Sequence, residues 1–444
     1  IVDGLILVPS EINFTFKSLG GQIGTQIYPA LIGVGYIVGP RISSYMFVGG
    51  LFGWCVLIPI ILLFGSDIVM YPGTTTIAQI FAESGPSGIW GSYVRYIGAG
   101  AIATGGLISL IKSFPLICRT FAQAMKGLKN SGAHSTARTD QDLPMNVILI
   151  SIAAVALVIW LFPAIPVNLA GAIMIVVFGF FFATVSARMV GLVGSSNNPV
   201  SGMAIATLLI ATLLLKSMGM TGIEGMTGAI AIGSVICVIA ALAGDTSQDL
   251  KTGYLLGATP KKQQIGELIG VIVSAAAIGG VLYLLNEAWS YGSKELPAAQ
   301  ATMMKMLVEG IMNAELPWGL ILIGVFIAIV VEIIKVPVMP FAVGMYLPFS
   351  LSAGIMAGGA VRFLVEKIKG TDEEKKARTD KGVLFTSGLI AGEGITGILL
   401  AGFAVAKLDV ALKFSLPQVG SLIIFIALLG GLFALCMKAK PAKK

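Results

Sequence analysis

Glu393 is the residue whose surroundings most clearly ask for chemistry. It sits in Ser387-Gly-Leu-Ile-Ala-Gly-Glu-Gly-Ile-Thr-Gly397, inside an apolar run, with no Lys or Arg within a helical turn or two. An ionised carboxylate near the centre of a bilayer costs ~3 kcal/mol on insertion scales. Burial there favours the neutral form, which makes Glu393 a candidate proton carrier. The plainer alternative is a protonated or internally hydrogen-bonded Glu that only joins helices.

Two further clusters put polar groups beside apolar segments. In Gly194-Ser-Ser-Asn-Asn-Pro-Val-Ser-Gly-Met203, Pro199 suits a first helical turn and Asn198 its N-cap. Asn197 and Asn198 would then present uncharged donors and acceptors near a positive helix end, a good place for a carboxylate. An ordinary capped turn at the membrane surface fits equally well. In Ala243-Gly-Asp-Thr-Ser-Gln-Asp-Leu-Lys-Thr-Gly-Tyr254, Asp245 and Asp249 are four apart and would share a helix face, with Gln248 beside them and Lys251 available to offset charge. A solvated interfacial loop is the competing reading. Glu224-Gly-Met-Thr-Gly228 echoes Glu393-Gly-Ile-Thr-Gly397, as an inverted repeat would, though glycine-rich chains produce such matches by chance. The lone His134 lies in a polar loop and makes no metal site by itself. Cys55, Cys118, Cys237 and Cys436 form neither a disulfide framework nor a metal knuckle.

The elements that must position these residues are read from hydropathy. Of 444 residues, 56% are hydrophobic and 11% charged, against about 25% charged in soluble domains. Apolar runs near ~20 residues, the length that crosses ~30 Å of hydrocarbon, recur throughout. Crossings are expected at 24–39, 42–65, 91–114, 145–163, 168–190, 199–215, 222–243, 264–285, 316–335, 383–405 and 418–437. The segment 336–361 holds Pro337, Pro340, Gly344, Pro348 and Gly354, and reads as re-entrant or broken. Fifty-six glycines suit close helix packing and helix breaks. The fold class is therefore an all-α polytopic membrane protein, one transmembrane domain over 1–444 with broken or re-entrant helices. The opening Ile-Val-Asp-Gly-Leu-Ile-Leu-Val has no initiator Met and reads as mid-segment, so an upstream part is expected to be missing.

Charge placement sets the topology. Most of the 29 Lys and Arg fall in alternate loops, chiefly 115–142, 251–262, 362–381 and the C-terminal end. Lys216, Lys294, Lys305, Lys407 and Lys413 fall opposite. The positive-inside rule then makes 115–142 and 362–381 cytoplasmic loops and places the C-terminus inside. The same count favours re-entry of 336–361, since a single crossing there would invert the later charges. The net charge of +7 is explained by this asymmetry, without nucleic acid. Both polar loops are short and no phosphate-binding GxxxxGK[ST] loop is present, which argues against a transporter carrying its own ATPase. An intramembrane enzyme would need a nucleophile paired with a base, for which there is no HExxH and only one His. A channel would need a pore-lining filter, and a scaffold subunit would need a larger complex; both stay open as alternatives.

At these clusters the chain resembles the oligopeptide transporter family, and within it bacterial relatives of the yellow-stripe-like transporters. The resembling stretches are 194–203, 243–253, Pro340-Phe-Ala-Val-Gly-Met-Tyr-Leu-Pro348, 387–393 and Phe14-Thr-Phe-Lys-Ser-Leu-Gly-Gly-Gln-Ile-Gly24. The resemblance implies a secondary transporter, usually proton-coupled, for oligopeptides or peptide-like metal chelates, for which alternating access is the expected mode. It carries substrate contact onto Asn197, Asn198, Asp245, Gln248, Asp249 and Lys251, and proton coupling onto Glu393. The expected partners are the small-molecule substrate, protons and membrane lipid, with no resident cofactor. A homo-oligomer is compatible with the pattern but not specified by it.

Overall fold

The structure is a computed structural model that describes residues 8–16, 20–130, 137–193, 200–293, 296, 298–313, 316–408 and 417–439. Strands β1 (Glu11–Thr15) and β2 (Gln22–Gln26) come first. Helices follow: α1 (Pro29–Leu51), a π-helical turn Phe52–Leu57, α2 (Ile58–Gly65), α3 (Ile77–Ile89), a second π-helical turn Trp90–Val94 and α4 (Arg95–Asn130). Next come α5 (Met145–Leu161), α6 (Leu169–Val193), α7 (Val200–Ser217), α8 (Gly222–Leu256), α9 (Pro260–Trp289) and α10 (Ala299–Asn313). The chain ends with α11 (Trp318–Ile333), α12 (Val338–Tyr346), α13 (Phe349–Lys367), α14 (Asp372–Val405) and α15 (Gln418–Met437). Among the described residues, eight helical stretches are long and apolar enough to cross a bilayer. The protein is an all-α polytopic membrane protein with broken helices.

Two compact units are distinguishable. The first comprises 1–102, 281–297 and 317–444; the second comprises 103–280 and 298–316.

In the first unit, α1 reverses direction at Gly39-Pro40. Gly39 has φ +86°, open to glycine and strained for other residues, and Pro40 supplies no N–H to continue the helix. Two contacts show the reversal. The Ser43 hydroxyl donates both to Gly39 O (2.8 Å) and to Gly35 O (3.2 Å), eight residues back, which a straight helix would hold ~12 Å away. Leu31, Gly35 and Gly39 also track forward along α13 past Gly354, Gly359 and Arg362, whereas Ser43 and Gly50 track back past Gly359 and Ser352. Contact is backbone to backbone. A Cβ on Gly35, Gly49, Gly344 or Gly358 would run into the carbonyl oxygen of Ile355, Phe341, Met46 or Ile32 respectively. In lipid, where apolar burial gives little drive, such close approach supplies the cohesion through dispersion. Helices α12 and α13 are interrupted at Leu347-Pro348.

The second unit packs α6, α7, α8 and α10 around Met203, Ala211, Leu215, Ala229, Ile232, Ile236 and Val308. Buried hydroxyls on these helices bond to carbonyls rather than to one another: Thr207 to Met203 O (2.8 Å), Thr212 to Leu208 O (2.6 Å) and Ser186 to Ala240 O. Helices α5 and α9 have no buried residue in their most apolar stretches. Their outward Ile150 and Ile272, 69% and 70% exposed, face hydrocarbon at no cost.

The polar stretch 362–381 is helical but for residues 368–371. Helix α13 runs to Lys367, and α14 opens at Asp372 with a capping box between Thr371 and Glu374. Likewise α4 extends through 115–130. The charged ends of long helices, rather than extended loops, carry much of the basic asymmetry.

Candidate functional site

Strands in a helical membrane protein call for a reason, because non-helical backbone at membrane depth must be buried in protein or line a polar cavity. The hairpin pairs Glu11 with Gln26, Asn13 with Gly24 and Thr15 with Gln22 on one face. On the other it pairs Ile12 with Thr25 and Phe14 with Ile23. The strand period of two thus gives an amphipathic ribbon. Its apolar face lines a cleft of about 340 Å³ with Phe47, Leu51, Phe349 and Leu422. On its polar face, Gln26 Nε2 donates to Glu11 Oε1 (2.6 Å) and Asn13 Nδ2 to Glu11 Oε2 (2.8 Å). The ribbon is held inside the unit: Ser421 of α15 donates to Pro9 O (2.8 Å), and Gly21 abuts the Trp54 carbonyl.

Three residues beyond Gln26 the chain enters α1, and Glu393 is there. Pro29 opens the helix and Tyr28 at the N-cap makes no side-chain capping bond. The Ala30 N–H donates instead to Glu393 Oε2 at 2.7 Å, across 363 residues of sequence. A carboxylate on a helix N-terminus meets both an orphan donor and the positive end of the macrodipole. Glu393 is half-buried on α14. Its place at the end of the polar ribbon puts two carboxyls, Glu393 and Glu11, at one strand-to-helix junction. Such a junction can exchange a proton or take up a cationic group.

The other expected site residues lie in the second unit or outside the described residues. Asn197 and Asn198 fall outside them. Asp245, Gln248, Asp249 and Lys251 stand on the last turns of α8, so the interfacial loop reading of this segment gives way to helix. At 35 residues, α8 outlasts a bilayer crossing by several turns. All four residues are exposed. The Lys251 ammonium lies 4.9 Å over the Tyr254 ring and forms no ion pair among the described residues. Asp249 faces α9: Gln263 Nε2 donates to its Oδ2 (3.2 Å) and its carbonyl (3.1 Å). One turn on, Thr246 donates to Glu267 Oε2 (3.0 Å).

Glu11, Gln26, Gln263 and Glu267 are site residues the sequence reading passed over. For the first two the signal was present as the alternation Glu-Ile-Asn-Phe-Thr-Phe before Gly20-Gly21. For Glu267 it was an acid three residues inside an apolar crossing. No group of three or more His, Cys, Asp or Glu arranged for a metal occurs among the described residues.

Comparison with known proteins meets this architecture along nearly its whole length. The family described as OPT oligopeptide transporter protein matches residues 9–404. A Haemophilus influenzae protein described as an oligopeptide transporter is 30% identical over 425 residues, covering 85% of this chain and 66% of its own. An Arabidopsis thaliana protein described as a metal-nicotianamine transporter is 30% identical over 213 residues, 43% of this chain and 29% of its own. A rice protein with the same description is 24% identical over 443 residues, 89% of this chain and 62% of its own. The chain thus spans less than two thirds of the length of these curated relatives. The match takes in the polar hairpin, the Gly39 reversal, the α8 cluster and Glu393, and on that ground the chain belongs to the oligopeptide transporter family.

Proposed function

We propose that this chain carries oligopeptides or peptide-like metal chelates across a bacterial inner membrane as a proton-coupled secondary transporter. It alternates access to the two sides, with its C-terminus in the cytoplasm. The observation that carries the reading is the Glu393–Ala30 contact at the end of the polar hairpin face. It sets a titratable group on the one α1 arm that ends in a glycine reversal. Ionised, Glu393 holds the N-terminus of α1; protonated, it loses the charge that the helix end favours. A proton arriving from one side would therefore release α1 from α14. That couples a chemical gradient to a movement, provided substrate binds the two arrangements unequally. The relatives' descriptions supply the two cargo classes, both rich in carboxylate and amine groups.

The test is uptake into proteoliposomes of labelled trialanine or zinc–nicotianamine, with and without an inward proton gradient. Wild-type protein should concentrate one of them only with the gradient. Glu393→Gln should uncouple uptake or abolish it, and gradient-driven uptake unchanged in that variant would remove Glu393 from the mechanism. Flux that does not saturate would instead favour a passive pore.

A further inference from the structure

We infer that Trp54, Trp90 and Arg95 form a recognition site for a carboxylate of the transported molecule; this rests on the transport reading above. Trp54 is 4% exposed and Trp90 partly buried, and their rings stack with centroids 6.0 Å apart at 26°. Both indole N–H groups are buried, and neither has an acceptor among the described residues. An orphan donor away from water is costly, more so in a protein surrounded by lipid, and two side by side are not incidental packing.

The backbone beneath them is unusual as well. Trp54 lies in the π-helical turn Phe52–Leu57 and Trp90 opens the other, Trp90–Val94. Each wide turn is an insertion of the kind that gathers at functional sites, because it redirects side chains out of the regular helical stripe. Arg95 follows the second turn directly. Its guanidinium lies 5.8 Å from the Trp90 ring centroid and 5.7 Å from that of Tyr346, and Nε donates to the Tyr346 hydroxyl at 3.4 Å. No carboxylate pairs with it among the described residues. A cation held by aromatic faces keeps its remaining N–H donors and its charge for another partner.

Two neutral donors and one cation without an ion pair among the described residues select an anion. Carboxylate is the anion common to both cargo classes, and it accepts on two oxygens at once. The loop side of the hairpin meets the same place, since Gly21 abuts the Trp54 carbonyl. The site therefore adjoins the polar element assigned to the route.

Trp→Phe keeps an aromatic ring but removes the pyrrole edge together with the donor, so it is the amide comparison, which a packing loss would disturb as well, that separates recognition from packing. With protein labelled on indole ¹⁵N, the Trp54 and Trp90 resonances, assigned through W54F and W90F, should shift on adding trialanine or zinc–nicotianamine. Trialanine amide should leave them unmoved. In uptake, W54F, W90F and R95Q should raise KM for the carboxylate-bearing substrate about tenfold each, while the amide's weak inhibition is unaltered. Indole resonances that ignore both carboxylate probes would overturn the inference, as would variants that weaken acid and amide alike. Resonances that respond in a protein that moves nothing across the membrane would sustain the site and count against transport alone.

Discussion

The Arg362 guanidinium of α13 donates through Nη1 to the carbonyls of Tyr36 (3.0 Å) and Ile37 (2.7 Å), near the end of the first α1 arm. Tyr36 O is the group that an N–H at position 40 would have taken, and proline has none. Arg362 thus replaces the missing helical bonds with charge-assisted ones at the negative end of the first α1 arm. Nε is held by Glu366 Oε1 at 2.8 Å, which fixes the fork. Arg362→Gln should lose roughly 3 kcal/mol, the scale of two hydrogen bonds to a charged group after relaxation. Arg362→Lys should fall between, since an ammonium reaches one carbonyl well and two poorly. Melting temperatures in detergent would give the order wild type, Lys, Gln; equal values would deny the pin.

Glycines divide by what stands opposite them. Gly35→Ala should destabilise by at least 1–3 kcal/mol, because its Cβ meets the Ile355 carbonyl and backbone cannot yield as a flexible side chain would. Gly270→Ala on α9, with open space around the position, should be neutral or slightly stabilising. Yield and thermal stability of the two variants in one detergent compare them directly.

The apolar frame was plain in the sequence because lipid imposes a length and a composition on each crossing. The expected 418–437 and 145–163 meet α15 at Gln418–Met437 and α5 at Met145–Leu161. The punctuation between 39 and 42 was also readable, since Gly-Pro cannot continue a helix. What replaced the expected crossing at 24–39 was not: strand β2 to Gln26, then a ten-residue arm from Pro29 to Val38. A five-residue strand is too short to outweigh a neighbouring apolar run in any window. Glu393 stood out as a charge among glycines. Its partner Ala30 could not, because a backbone N–H has no sequence signature and lies 363 residues away. The π-helical turns at Trp54 and Trp90 likewise leave no periodicity to detect in five or six residues.

Glu393 variants separate charge from hydrogen bonding. Glu393→Gln keeps a carbonyl acceptor for the Ala30 N–H and loses the interaction with the helix end, up to about 2 kcal/mol in a partly buried setting. Glu393→Ala also leaves the donor bare, adding about 1–3 kcal/mol. The stability order should be wild type, Gln, Ala, while both variants lose dependence of uptake on the proton gradient. A Gln variant as unstable as Ala would mean that the contact is not made through that oxygen.

Helices α8 and α9 set two carboxyls against each other outside this junction. Glu267 receives the Thr246 hydroxyl on one oxygen, while its other oxygen is buried with no donor among the described residues. Asp249 adds repulsion from the neighbouring turn. Two acids so placed destabilise the helix pair whenever both are ionised. Glu267→Gln should therefore stabilise the protein, by about 1 kcal/mol, since the new amide can donate toward Asp249 and the Thr246 bond survives. Thr246→Val should act in the opposite direction by removing the hydroxyl that donates to the carboxyl. The measurement is the melting temperature of both variants at neutral pH, with uptake alongside. A Gln variant that is less stable than wild type would show that repulsion is not what governs the pair. One that is more stable but inactive would assign the cluster a part in transport that its exposed position on α8 does not by itself require.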